Sequence, residues 1–275
     1  MRPVFVIAAI NGGRRTKVDH PALPMSAGEI AAESRRCAAA GAAAIHLHVR
    51  DDAGRHSLDA ARYGEAIAEI RRQAGDDLII QITTEAVGVY GPQEQMAVVQ
   101  ALRPEAFSVA VRELFSDAAL SGVAAAFLAS CAEAGMAVQY ILYDAGDVQR
   151  FDALLDAGVI PRSNATQLFV LGRYGDGPPS APSAILGFLA ARRHLLDWSV
   201  CAFGPTETAS CLSAALLGGD VRMGFENNFH LPDGRIAPDS AALVQHFIKV
   251  AGALGLSTLS SRDARLRLGL APAYP

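Results

Sequence analysis

The sequence predicts a closed (β/α)8 barrel, the TIM-barrel fold, formed by residues 1–275 as a single domain with a short C-terminal helical extension. Three observations carry that expectation. Short β-branched runs alternate with Ala/Leu/Glu/Arg-rich segments along the whole chain, the pattern of βα units feeding a parallel sheet. Eight such runs can be counted, at residues 4–10, 44–49, 78–83, 107–111, 137–142, 167–171, 199–203 and 221–225. No Pro/Ser/Gly-rich linker divides the chain, and Asn11-Gly12-Gly13-Arg14 after the first run does not supply the G-x-G-x-x-G fingerprint of an open dinucleotide-binding sheet.

Each element has local punctuation. The first apolar run breaks at Asn11-Gly12-Gly13 with no small-residue cleavage site, so it reads as a strand and not as a leader. Ser26-x-x-Glu29 is a capping box for the first helix, and Ala40-Gly41 ends it. Asp59, Gln93, Asp117, Asp147, Ser180, Thr206 and Asp239 are expected to open the later helices. Residues 261–270 form an amphipathic segment expected either to close the base of the barrel or to lie across a neighbouring subunit.

The chain is 51% hydrophobic and 19% charged, enough apolar material for a large core, so disorder is not expected. A formal net charge of −4 and the absence of a long Lys/Arg run argue against nucleic acid as a partner. No stretch approaches the roughly 18 uninterrupted apolar residues that a membrane helix requires, so no membrane association is expected and the cytoplasm is the expected compartment. Cys37, Cys131, Cys201 and Cys211 lack C-x-x-C spacing and read as buried free thiols.

Active sites in such barrels lie where the strands run into the loops that follow them. The sharpest signal there is Ile45-His46-Leu47-His48-Val49-Arg50-Asp51. Side chains at i and i+2 of a strand share a face, so His46 and His48 are both expected to look into the barrel mouth as a metal-binding pair. A third ligand is needed. Glu226, at the end of the last strand, is the best candidate, because two histidines with one carboxylate leave a position open for substrate; His230, further out, is the competitor. Asp51 is expected to support the ligands or to cap the turn.

These stretches resemble the β-keto acid cleavage enzyme family, also described as 3-keto-5-aminohexanoate cleavage proteins, over nearly the full length. The resemblance lies in Leu23-Pro24 followed by Glu29-Ile30, in Ala40-Gly41-Ala42 leading into the histidine strand, in Thr83-Thr84, and in the run from Gly218-Gly219-Asp220 through Arg222 to Glu226-Asn227-Asn228. It implies a barrel with one Zn2+ per subunit, held by His46, His48 and Glu226. It also implies a reaction in which a β-keto acid and acetyl-CoA give acetoacetate and a new acyl-CoA, and a homo-oligomer, commonly a tetramer. Arg222 would neutralise developing charge, and Thr83 and Thr84 would hydrogen-bond the substrate carboxylate. Asn11, Arg112 and Glu113 are further candidates for substrate contact. Arg14, Arg15 and Lys17 form a small basic loop that would suit the phosphates of coenzyme A.

The chain departs from the family pattern in four places. Asn227 stands where the pattern has Asp, and an amide cannot serve as a general base. Glu85 follows Thr84 where the pattern has Gly, Gln139 aligns with a glutamate, and Arg112-Glu113 replaces a small polar turn. An atypical substrate is therefore expected, with Glu85 or Glu113 as a displaced base; the alternative is that these residues pair with one another as a structural network. Two other functional readings stand beside this one. An amidohydrolase-type metallo-hydrolase also uses H-x-H on a barrel strand, but on the first strand and with further ligands later. A zinc-containing barrel that binds a keto acid without turnover would fit the loss of acid groups at Asn227 and Gln139.

Overall fold

The computed structural model describes residues 2–173 and 180–272. Parallel strands covered on both faces need near-continuous apolar runs, and eight of the ten strands are of that kind. In chain order the strands are β1 (Val6–Ala9), β2 (Ala44–Leu47), β3 (Val49–Arg50), β4 (His56–Ser57), β5 (Ile79–Thr83), β6 (Ala106–Ala110), β7 (Ala137–Leu142), β8 (Ala165–Leu171), β9 (Trp198–Ala202) and β10 (Asp220–Met223). All except β3 and β4 pair in parallel and close a barrel in the order β1-β10-β9-β8-β7-β6-β5-β2. The expected (β/α)8 barrel is therefore the fold.

The helices are α1 (Ala27–Ala39), α2 (Ala60–Ala74), α3 (Pro92–Leu102), α4 (Val111–Leu114), α5 (Ser121–Glu133), α6 (Ala145–Asp156), α7 (Ile185–Ala191), α8 (Glu207–Leu216), α9 (Ser240–Ala253) and α10 (Ser261–Arg267). The Ser26/Glu29 capping box forms, and Asp59, Asp117 and Asp239 cap as their sequence positions suggest. Four starts differ. Pro92, after Gly91, precedes Gln93 as the first residue of α3. Asp144 rather than Asp147 caps α6, because it is Asp144 whose carboxylate accepts the Asp147 N–H. Ser180 lies ahead of α7 and bonds Phe203 O, and the Thr206 hydroxyl goes to Ser180 O, so neither caps a helix through its side chain. The strand expected at residues 107–111 ends at Ala110, because Val111 opens the single helical turn α4.

Two further features position the site. Directly after β2 the chain turns into the β3/β4 hairpin, in which Arg50 faces His56 in register. Its turn is fixed by Asp51, whose Oδ1 accepts from Ala53 N and Arg55 N, so Asp51 caps the turn. At the opposite end, small side chains leave the barrel floor open: Ala44, Ala106 and Ala137 lie beside Phe5, Ile7 and Ile79. Ala264 and Leu270, with Leu259 and Leu268, pack into that floor, so the C-terminal segment closes the base of its own barrel. Among the described residues no helix is long and apolar enough to cross a membrane, and all four cysteines are buried and free.

Candidate metal centre and active-site pocket

His46 lies on β2 and His48 one residue beyond it, and both imidazoles turn into the barrel mouth. Their Nε2 atoms are 3.3 Å apart. Glu226, in the loop after β10, brings Oε2 within 3.5 Å of His46 Nε2 and Oε1 within 3.5 Å of His48 Nε2. All three side chains are buried. Among the described residues they are the one cluster of three His, Cys, Asp or Glu groups whose ligand atoms lie close enough to share an ion, all within 4.8 Å of one another. His230 is not in the cluster; its backbone N–H bonds Asn228 Oδ1 instead.

Hydrogen bonds select the imidazole tautomers. His46 Nδ1 donates to Gln81 Oε1 at 2.8 Å, which leaves Nε2 as a bare lone pair. The second histidine is set through a relay. His56 Nε2 donates to the carbonyl of Glu85 at 2.9 Å, so His56, when neutral, must accept at Nδ1. That atom lies 3.4 Å from His48 Nδ1, which therefore carries the proton and turns its own lone pair toward Glu226. Burial, with His48 adding to it, pushes the His56 pKa down to about 3 and keeps it neutral.

Ionisation at the cluster suits a cation. Burial, followed by the charge of Arg222, holds the His46 pKa well below its ordinary value. Burial acts to raise Glu226, but Arg222, His46 and His48 outweigh it and hold the carboxyl well below the usual range. An ionised carboxylate thus faces the neutral imidazole of His46, and Glu226 Oε2 is buried with no hydrogen-bond partner. An unpaired buried carboxylate oxygen facing imidazole lone pairs is the donor set a divalent metal satisfies.

The surroundings fix these ligands from below and from the side. Asn11 spends its whole amide on backbone: Oδ1 accepts from His48 N at 3.0 Å, and Nδ2 donates to His48 O at 2.8 Å and to Pro24 O at 3.0 Å. Gly12 has φ of +67°, and a Cβ there would come within 2.8 Å of Glu226 Cγ, so only glycine permits that approach. Arg50 donates to the carbonyls of Gly12, Gly13 and Arg15 and clamps the loop after β1.

Above the cluster a cavity of about 320 Å³ is lined by Asn11, the glycines and arginines of residues 12–15, Gly172, Arg173, Phe203 and Glu226. A smaller recess continues it, bounded by Thr83, Glu85, Tyr143, Arg173, Arg222 and Glu226 among others. Arg222 is buried with Nη2 3.6 Å from Glu226 Oε1, while its Nε and Nη1 have no partner. Glu85 pairs with Arg173 through Oε1, and its Oε2 is buried with no hydrogen bond, 3.9 Å from His48 Nδ1. Arg173 also lies over the Phe203 ring, its guanidinium carbon 4.9 Å from the centroid.

The residues named from sequence thus divide. Glu226, Arg222, Glu85, Thr83 and Asn11 line the cavities at the mouth, and His46 and His48 lie behind them against Glu226, although the amide of Asn11 is committed to the chain around His48. Thr84, Arg112 and Glu113 line neither cavity. Thr84 Oγ1 donates to Ser108 O, Arg112 pairs with Asp144 and Asp147, and Glu113 accepts from Ala86 N and Gln95 Nε2. Asn227 is fully buried beneath the loop, donating to Glu207 Oε1 and Arg222 O. Gln139 lies inside the barrel, bonded to Ser199 Oγ. Of the basic loop, Arg14 and Arg15 line the cavity, whereas Lys17 pairs with Glu29. Gln81, His56 and Glu207 were not singled out from sequence as site residues, since each matters through a partner distant along the chain.

A family model described as beta-keto acid cleavage enzyme matches residues 3–270. The chain is 29% identical over 276 residues to a protein of Fusobacterium nucleatum named 3-keto-5-aminohexanoate cleavage enzyme, covering 98% of this chain and 99% of the relative. It is 27% identical to the 3-oxoadipate:acetyl-CoA acetyltransferase of Cupriavidus necator, covering 98% and 95% of the two chains. Among solved structures, the apo form of ObcA superposes with a TM-score of 0.74 at 16% identity, over 91% of this chain and 66% of that one, a likeness of fold. With a match over nearly its whole length, this chain belongs to the β-keto acid cleavage enzyme family.

Proposed function

We propose that the protein is a metal-dependent β-keto acid cleavage enzyme with acetyl-CoA as co-substrate. The net reaction moves the CH2–COO⁻ portion of R–CO–CH2–COO⁻ onto the acetyl group, giving acetoacetate, while R–CO is released as R–CO–SCoA. One carbon–carbon bond breaks and one forms, with no redox change. The observation that carries the reading is the convergence of His46, His48 and Glu226, with separations of 3.3 Å and 3.5 Å, where Glu226 lines a cavity that also holds Arg14, Arg15 and Arg173. Family membership and relatives named for acetyl-CoA-dependent reactions of keto acids support it.

The three ligands suit zinc, which when bound would polarise a keto oxygen as a Lewis acid. The chain's own groups do the rest. Arg222 offers Nε and Nη1, both buried and unpartnered, to the negative charge that develops on the substrate when its acidic C–H bond is broken. Thr83 Oγ1 accepts from Glu85 N and keeps its own proton for a substrate oxygen. Glu85 Oε2, buried and free of hydrogen bonds, is the base that takes the proton. Asn227 contributes from beneath the loop, through Glu226. Arg14 and Arg15 at the rim suit the phosphates of coenzyme A.

The test is incubation of zinc-loaded protein with acetyl-CoA and a panel of β-keto acids differing in charge and size, with acetoacetate and new acyl-CoA followed by mass spectrometry. The His46→Ala/His48→Ala variant is the blank. Turnover absent from the blank is the expected result and identifies the preferred substituent. Stoichiometric zinc binding with no turnover of any panel member would overturn the enzymatic reading in favour of a keto-acid-binding barrel, and hydrolysis without coenzyme A would favour a metallo-hydrolase.

A further inference from the structure

The loop that carries Glu226 is tied to the rest of the barrel at two places. On one side it rests on β1: Glu226 N donates to Ala9 O at 3.1 Å, and Gly224, with φ of +138°, lies so close that a Cβ would fall 2.5 Å from Ala9 O. On the other side Phe225 N bonds Ser240 Oγ, Arg15 donates to Phe225 O and Asn227 O, Gly204 N donates to Asn227 O, and one carboxyl group gathers three further donors. Glu207, in the first turn of α8, is fully buried and accepts three hydrogen bonds from the loop. Gly224 N and Asn227 Nδ2 bond Oε1 at 2.9 Å and 3.1 Å, and Asn228 Nδ2 bonds Oε2 at 3.3 Å.

The amide orientations leave no freedom in this arrangement. Asn228 Oδ1 accepts from His230 N and its Nδ2 donates to His230 O, so nitrogen must face Glu207. Asn227 Nδ2 lies between two acceptors, Glu207 Oε1 and Arg222 O. A carboxylate at position 227 would set an oxygen 3.1 Å from a second buried carboxyl and would leave Arg222 O without its donor. Two acids that close cannot both ionise. Glu207 lines neither cavity of the mouth, so its reach to the reacting atoms runs through the residues that flank Glu226.

We propose that Glu207 is a positioning residue for the metal ligand Glu226, and that the contact between positions 207 and 227 accommodates one acid, which this chain carries on 207. The inference rests on the reading of Glu226 as a metal ligand. Replacement of the acid by an amide leaves one acceptor oxygen for three donors and sets an N–H against one of them, so the residues that flank Glu226 lose part of their support. A second acid at 227 removes the N–H that Glu207 Oε1 and Arg222 O both accept, so the loop loses that hold on α8. Each single change therefore harms the centre, and the second is relieved by the first.

The test is a cycle of Glu207→Gln, Asn227→Asp and the double variant. Zinc affinity of the metal-free protein is titrated by calorimetry, melting temperature is measured with and without zinc, and turnover is measured in parallel. Glu207→Gln is expected to weaken zinc binding by about 10-fold and Asn227→Asp by about 100-fold, the range for groups that orient metal ligands. The double variant is expected to bind at least ~10-fold more tightly than Asn227→Asp alone and to melt at a higher temperature. If Asn227→Asp fails to fold, recovery of a cooperative melt in the double variant gives the same support. Wild-type zinc affinity in Asn227→Asp, or a double variant no better than Asn227→Asp in affinity and melting, would overturn the inference. Absence of zinc binding by the wild-type protein would instead overturn the metal reading itself, while recovery of the melt in the double variant would still support the one-acid contact.

Discussion

His46 and Gln81 are direct register partners on adjacent strands β2 and β5, and that register places Gln81 Oε1 2.8 Å from His46 Nδ1. The amide oxygen fixes the imidazole's tautomer and its rotation, so the metal-facing lone pair is aimed by a residue 35 positions away in sequence. Gln81→Leu removes the acceptor while keeping a side chain of similar bulk. Zinc affinity is expected to fall by about 10- to 100-fold, and the metal-free protein to lose about 1–3 kcal/mol because the buried His46 N–H loses its acceptor. Calorimetric titration of both proteins checks this, and an unchanged affinity would show that Gln81 does not orient the ligand.

Asn11 is expected to act on His48 and not on substrate. Asn11→Ala leaves the buried N–H and carbonyl of His48 and the carbonyl of Pro24 without their partner, at a cost of about 1–3 kcal/mol for a buried group left unpaired. Chemical denaturation should show that loss in the metal-free protein. Michaelis constants for the keto acid should change no more than zinc affinity does; a selective rise in the keto-acid KM with stability intact would instead make Asn11 a substrate contact.

Gly12 tests how closely the loop after β1 must approach Glu226. Gly12→Ala introduces a Cβ 2.8 Å from Glu226 Cγ at a φ of +67°, so the carboxylate must move or the loop must strain. Zinc binding is expected to weaken by at least ~10-fold, on the scale seen when groups around metal ligands are altered. Gly28→Ala, where nothing lies within 4 Å of the added carbon, is the control and should bind zinc as the wild type does.

Glu207 gives a prediction in pH. Burial raises its pKa from 4.5 to about 8, so between those values the folded protein holds a proton that the unfolded chain has released. This contribution is fully present below pH 4.5 and is lost as pH rises toward 8, with a slope of at most about 1.4 kcal/mol per pH unit. Denaturation midpoints of the metal-free wild type and of Glu207→Gln, measured from pH 5 to 9, should differ by an amount that grows against the wild type up to pH 8 and then levels. Parallel curves across that range would show that Glu207 is already ionised in the folded state.

The architecture was legible because its signals are local. Eight apolar runs, a capping box at Ser26 and Glu29, and aspartates ahead of α2 and α9 each depend on neighbours within a few positions. The boundaries that shifted did so for tertiary reasons. Thr206 and Ser180 spend their hydroxyls on each other's segment and not on a helix end, and α4 begins at once after Ala110. At the site, the two histidines were legible from their spacing, and Glu226 from its place at the end of the last barrel strand. Arg112 and Glu113 were legible only as charges, and folding pairs them with Asp144, Asp147 and Gln95 away from the mouth.

By itself the sequence determined the barrel and pointed to the three side chains that converge at its mouth, because strand alternation obliges positions 46 and 48 to share a face whatever surrounds them. Only the tertiary structure decided what orients those ligands. Gln81 reaches His46 through strand register, His56 reaches His48 through a hairpin fold-back, and Glu207 reaches the Glu226 loop from the first turn of the preceding helix α8. These contacts join residues 8 to 35 positions apart, and the separations obey no period a single chain can display. They exist because barrel closure and burial bring polar groups together where water cannot satisfy them, so each must find its partner within the fold.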